Sequence, residues 1–137
     1  MSDLVKIKEL IPQREPFLFV DTIISRGDKS IETARTFAQD EDFFSGHFPG
    51  NPIVPGVILQ EALFQTGALL MASGENAGLG VVTRVGAAKF KQMLHPGDTL
   101  VMVVELVDQA ANAYYFKGVG RVNGKVAIVI EFACALT

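Results

Sequence analysis

The stretch from Gly46 to Leu70, GHFPGNPIVPGVILQEALFQTGALL, constrains this chain more than any other: a loop dense in glycine and proline runs into a segment that is apolar nearly all round. Between Phe48 and Gly74 the only ionisable side chain is Glu61. A helix that is hydrophobic on every side has to be enclosed by other elements. Its start falls at Pro55-Gly56, because proline suits the first helical position, and a stop follows about Ser73, at Gly74. Phe48, Asn51 and Val54 each precede a proline and are pushed out of helical geometry, so residues 48–55 are expected as a stiff extended strap that fixes His47.

The flanking segments supply the wrapper. Leu4 to Leu10 has the spacing of a short amphipathic helix stopped near Pro12, suited to covering an end of the fold. Phe17 to Ser25 and Ser30 to Ala38 read as two strands of a hairpin about the turn Arg26-Gly27-Asp28-Lys29. Asp40 to Phe44 reads as one helical turn with acids near its start. Beyond the helix, Leu79 to Phe90, Thr99 to Val107, Ala113 to Val122 and Val126 to Leu136 are strand-like. Turns separate them at residues 95–98, at residues 108–112 and at Asn123-Gly124, the strongest short-range hairpin signal. Two strands before one apolar helix and four after it imply an α+β fold, with a curved, mostly antiparallel six-stranded sheet around the helix.

Composition narrows the classes of function. At 137 residues, 49% hydrophobic and 20% charged, the chain is expected as one globular domain over residues 1–137. A net charge of -3 offers no basic field to hold nucleic acid or an anionic membrane surface. The single cysteine, Cys134, excludes an internal disulfide and a cysteine-based metal cluster. Within AIVIEFACAL it reads as a buried strand thiol. The amino terminus MSDLVKIKEL lacks the uninterrupted hydrophobic region of a signal peptide. Gln60, Glu61, Gln65 and Thr66 break the longest apolar run below the roughly 18 to 20 residues of a membrane span. A soluble, cytoplasmic protein is expected.

Glu61 and His47 each admit two readings. Glu61 fits a structural carboxyl hydrogen-bonded to Gln65 one turn later, and it fits a functional group, because perturbed carboxyls gather at both kinds of place. His47 fits an ordinary turn residue or a catalyst. Together they are suited to moving protons: imidazole titrates near neutrality and serves as a base, while a carboxyl in a dry pocket holds its proton to higher pH and serves as an acid. The helix start at Gly56 adds free N–H groups and a positive dipole end that polarise a carbonyl, and glycine lets a substrate approach the backbone. His95, between Leu94 and Pro96-Gly97, reads as a solvated turn residue. Two histidines without a cysteine pair or HExxH spacing give no metal site, and no dinucleotide, P-loop or GxSxG motif is present.

At these residues the chain resembles the (3R)-hydroxyacyl-acyl carrier protein dehydratases of the FabZ type. Pro12 to Asp21 is similar to the family's PHRxPFLLVD, Gly46 to Leu59 to its GHFPxxPVMPGVL, and Glu61 to Gln65 to its EAxAQ. Lys89-Phe90 through Pro96-Gly97-Asp98 and Phe116 to Val126 match two further motifs, so the resemblance covers nearly the whole chain. It departs at Gln13, where the family usually has histidine, and at Lys89 to Met93, where the family's RFRRP is more basic.

The resemblance implies a hot-dog fold and a homodimer with each active site at the interface, the dimers joining as a hexamer. It further implies that His47 removes the α proton of a 3-hydroxyacyl thioester and that Glu61, from the other subunit, protonates the departing hydroxyl. Gly56 N–H would hold the thioester carbonyl, with Phe48, Pro55, Val57 and Gln65 as further substrate contacts. Lys89 and Lys91 would dock an acyl carrier protein, a specialised carrier or a coenzyme A thioester remaining open as the donor. No cofactor, metal, nucleic acid or membrane is implied. Glutamate at 61, where the related dehydratase-isomerase carries aspartate, favours simple dehydration. The alternatives on the same fold are an acyl thioesterase, which gives no reason for the HFPGNP strap, and a non-catalytic acyl-binding subunit, whose marker would be loss of the histidine or glutamate.

Overall fold

A computed structural model describes residues 3–72 and 80–136. Helix α1 (Asp3–Leu10) leads to strands β1 (Thr22–Arg26) and β2 (Ser30–Thr36), a 3-10 turn at Asp42–Ser45 and the long helix α2 (Gly56–Met71). Strands β3 (Gly80–Phe90), β4 (Thr99–Ala110), β5 (Ala113–Val122) and β6 (Lys125–Leu136) follow. All six strands join one curved sheet in the order β1-β2-β4-β5-β6-β3, each neighbouring pair antiparallel, with α2 against its inner face. This is the hot-dog arrangement.

Alternation in the strands creates that inner face. Leu100, Met102 and Val104 of β4, and Phe116 and Val122 of β5, turn into the core, where they join Leu59, Leu63, Leu69 and Leu70 of α2. Each such side chain contributes roughly 1.5 to 3 kcal/mol when fully removed from water. Two glycines of β5 make room in the core, Gly118 for the helix and Gly120 for side chains of the adjoining strands. A Cβ at Gly118 would stand 3.2 Å from Leu63 Cδ2, and one at Gly120 would stand 2.8 Å from Leu100 Cδ1. Helix α1 caps one end of this core through Ile7, which is wholly buried.

The turn at Asn123-Gly124 has the expected mirror-image geometry, with φ of 51° and 78°. The β4–β5 turn is tighter than expected. Asp108 and Gln109 pair with Tyr115 and Tyr114 after a register shift, leaving residues 111 and 112 to turn. Polar side chains did not stop β4, because that end of the ladder faces solvent.

Two expectations need correction. Phe17 to Asp21 is not strand, although Leu18, Phe19 and Val20 are buried. Its backbone turns to a helix side chain: Phe19 N–H donates to Gln65 Oε1 at 2.8 Å, and Phe17 C=O accepts from Gln65 Nε2 at 3.0 Å. Burial alone produced the strand-like composition. Residues 48–55, in turn, are not extended throughout. Phe48 and Asn51 exchange backbone hydrogen bonds of 3.0 and 2.8 Å around Pro49-Gly50, with Gly50 at φ +73°. Glycine supplies the left-handed residue that lets the chain fold back between prolines. Only the stretch after this turn runs out, held where Val54 N–H donates to Leu94 C=O at 2.8 Å.

The expected helix stop at Ser73-Gly74 and the strand start at Leu79 lie outside the described residues. Among the described residues, no helix is long and apolar enough to cross a membrane.

Candidate active site

His47 follows the 3-10 turn, whose Phe44 is buried as an anchor. The folded-back strap holds it twice: Ile53 N–H donates to the His47 carbonyl at 2.9 Å, and His47 Nδ1 lies 2.9 Å from the Ile53 carbonyl oxygen. A carbonyl only accepts, so Nδ1 carries the hydrogen and the neutral ring keeps its lone pair on Nε2. Phe48 stacks on the imidazole at 4.0 Å between centroids, which fixes the ring plane. The stiff loop therefore presents an imidazole of defined tautomer.

Glu61 sits in the second turn of α2, half-buried. Burial holds its carboxyl above the ordinary carboxylate range, and a 3.0 Å hydrogen bond from Gln65 Nε2 to Oε2 opposes that rise. The Cys134 thiol, buried in β6 as expected, is pushed up to about 12, first by burial and then by the charge of Glu61. It is a protonated neighbour of the carboxyl, not a nucleophile.

The structure gathers Glu61, Gln65 and residues 17–19 into one cluster, whereas His47 is tied to its own strap. Gln65, expected among the substrate contacts, is 0% exposed, and its amide is taken up by protein groups. Gly56 opens α2 after Pro55, so its N–H belongs to the turn whose donors have no intrahelical acceptor. A Cβ there would stand 3.0 Å from Phe90 Cε1, so a larger residue would have to push that half-exposed ring aside. Val57 and Phe48 are 70% and 49% exposed, large apolar side chains open beside the strap and helix start.

Lys89 and Lys91 are exposed at the end of β3 and line a groove of about 460 Å³ with Lys117 and Glu131. Lys117, two strands further on in β5, was missed because only sheet register brings it there. A second groove of about 410 Å³ is lined by Arg84, Tyr115 and Lys117 among others, and by neither His47 nor Glu61. His95 is a turn residue as expected, with Nδ1 3.7 Å from Asp98.

A partly buried ionic clasp holds the segment that reaches Gln65. Arg35 binds Asp21 at 3.0 Å and Glu41 at 2.6 Å while its guanidinium lies 5.5 Å from the Phe19 ring centroid. The resemblance over Pro16 to Asp21 offered the only signal for this arrangement.

Fold and site define the class. The dehydratase heterocomplex ApeI:P from Xenorhabdus doucetiae has a similar structure, with a TM-score of 0.83 over 96% of this chain and 90% of that one at 17% identity. The family description FabA-like domain matches residues 11–131. A 3-hydroxyacyl-acyl-carrier-protein dehydratase FabZ from a Caulobacter species is 42% identical over 136 residues, covering 96% of this chain and 83% of the relative. The FabZ dehydratase of Oceanobacillus iheyensis is 39% identical over 140 residues, covering 99% of each. The chain belongs to the FabA-like family, in its FabZ group of 3-hydroxyacyl-acyl-carrier-protein dehydratases.

Proposed function

We propose that this protein dehydrates a (3R)-3-hydroxyacyl thioester to the trans-2-enoyl thioester and water in fatty acid biosynthesis, with His47 as base and Glu61 as acid. The observation that carries the role of His47 is its Nδ1–H bond to the Ile53 carbonyl, which leaves Nε2 as the free lone pair. His47 Nε2 takes a proton from C2, and charge moves onto the thioester oxygen, where Gly56 N–H and the dipole of α2 stabilise it. Glu61 gives its proton to the C3 hydroxyl, the C–O bond breaks, and water leaves as the C2–C3 double bond forms. Burial favours the protonated acid that this step needs. The reaction is balanced without redox change.

The acyl donor is an acyl carrier protein, as in the relatives' names, with Lys89 and Lys91, joined by Lys117, meeting its acidic surface. The active unit is a homodimer in which His47 of one subunit faces Glu61 of the other, with a trimer of dimers as the further assembly. Strand β3 supports this: it is a sheet edge, yet Val81, Val82, Val85 and Phe90 are exposed along it. Edges are usually short or guarded by charge, and a two-fold axis would pair two such strands. The whole of residues 1–137 acts as one domain in the cytoplasm. Phe48, Pro55 and Val57 line the acyl path.

The test is incubation with 3-hydroxyacyl thioesters of several chain lengths on acyl carrier protein and on coenzyme A, followed by enoyl absorbance. Product is expected with the carrier-bound substrate. Folded protein that gives free thiol without enoyl product would turn the reading to hydrolysis.

A further inference from the structure

We propose that Gln65 is a positioning residue: clamped by the backbone of residues 17–19, its amide holds Glu61 Oε2 as an acceptor and leaves Oε1 to deliver the proton. The proposal rests on the reading of Glu61 as the acid. Phe19 N–H can only donate, so the oxygen of the Gln65 amide must face it, at 2.8 Å. That assignment turns the NH₂ toward two acceptors, Phe17 C=O at 3.0 Å and Glu61 Oε2 at 3.0 Å. Both amide hydrogens and the oxygen are thus engaged, and Gln65 is 0% exposed, so no water competes.

The consequence for Glu61 is asymmetry. In a protonated carboxyl the carbonyl oxygen is the better acceptor, so the oxygen bound by Gln65 is the carbonyl one and the hydroxyl is Oε1. Gln65 lies one helical turn beyond Glu61, where i,i+4 side chains meet, and so it acts along the helix face without touching substrate. The clamp is itself braced, because Phe19 packs edge-on to Phe17 at 5.1 Å and beneath Arg35. An i,i+4 Gln–Glu pair on a bare helix is weak and rotates freely. Here the tertiary hydrogen bonds to residues 17 and 19 remove that freedom. Cys134 of β6 is a further titratable side chain near Glu61, whose charge helps to raise the thiol.

Two measurements test this. Gln65→Met keeps length and apolar fit but removes the donor and acceptor. Its kcat should fall at least tenfold with KM changed less than twofold, and the limb of the pH profile set by the carboxyl should move to higher pH. Gln65→Glu, which regains one donor when protonated, should recover part of the lost kcat at low pH only. Full turnover with an unchanged pH profile in Gln65→Met would overturn the proposal while leaving the dehydratase reading intact. If the variants fail to fold, wild-type protein decides by side-chain amide NMR. The two Gln65 NH₂ protons should resolve as slowly exchanging signals, one of them shifting with the titration of Glu61. Averaged amide signals, or signals indifferent to that titration, would sink the proposal whether or not the protein forms enoyl product.

Discussion

Helix α2 meets two different surroundings. Toward β2, β4 and β5 it is sealed: Leu59 and Leu63 are buried, Thr66 shares a 2.9 Å hydrogen bond with Thr33, and Gly118 of β5 admits Leu63 closely. Around its first turn, and along β3, the side chains are as apolar, yet Val57, Phe48, Phe90 and Val85 stand open to solvent. One chain thus completes the fold, while under the proposed dimer it leaves the site to be completed by a second copy. The sealed side needs no second copy, whereas the open side makes sense as surface that a second copy covers.

Changes at the open side should have the largest effects. Glu61→Gln should lower turnover by about 10² to 10⁴, the usual contribution of a general acid, with the fold intact by circular dichroism. The same variant carries a stability signature of opposite sign. Burial raises the folded-state titration of Glu61 above its ordinary value of 4.5, so the folded protein holds an extra proton in that window and loses stability as pH rises through it. Glu61→Gln should therefore melt above wild type at pH values beyond the window and match it below. A variant that melts lower at neutral pH would show the carboxylate to be structural.

Val85→Lys puts a charge on the exposed sheet edge. Ultracentrifugation should report monomers, and turnover should fall with them while strand content is unchanged. Dimers with full activity would place the interface elsewhere. On the sealed side, Gly118→Val adds volume against Leu63 and should cost about 1 to 3 kcal/mol, read as a lower Tm, with turnover per folded molecule kept. The smallest effect concerns Cys134, whose thiol should ignore a neutral-pH thiol reagent until denaturant opens the core.

The same division explains what was legible in the sequence. An all-round apolar helix has to be wrapped, and Asn123-Gly124 dictates its turn by local backbone geometry, so both features follow from nearby residues. Phe17 to Asp21 misled because an aromatic, β-branched run has one composition whether its backbone pairs with a strand or with Gln65. The strap misled because prolines favour extended residues but do not say where Gly50 folds the chain back. Strand β3 was legible as a strand, but its apolar side chains do not say whether the surface that covers them belongs to the same chain. His47 and Glu61 were singled out as residues, but the clamp around Gln65 depends on a segment more than forty positions away.

The claim that one chain holds half of each site is tested most directly by mixing His47→Ala and Glu61→Gln subunits, each inactive alone, by unfolding and refolding them together. With His47 and Glu61 drawn from different subunits, every mixed dimer regains one intact site, and random pairing returns about a quarter of wild-type turnover. A mixture that re-forms dimers yet stays as inactive as its parents would contradict the account.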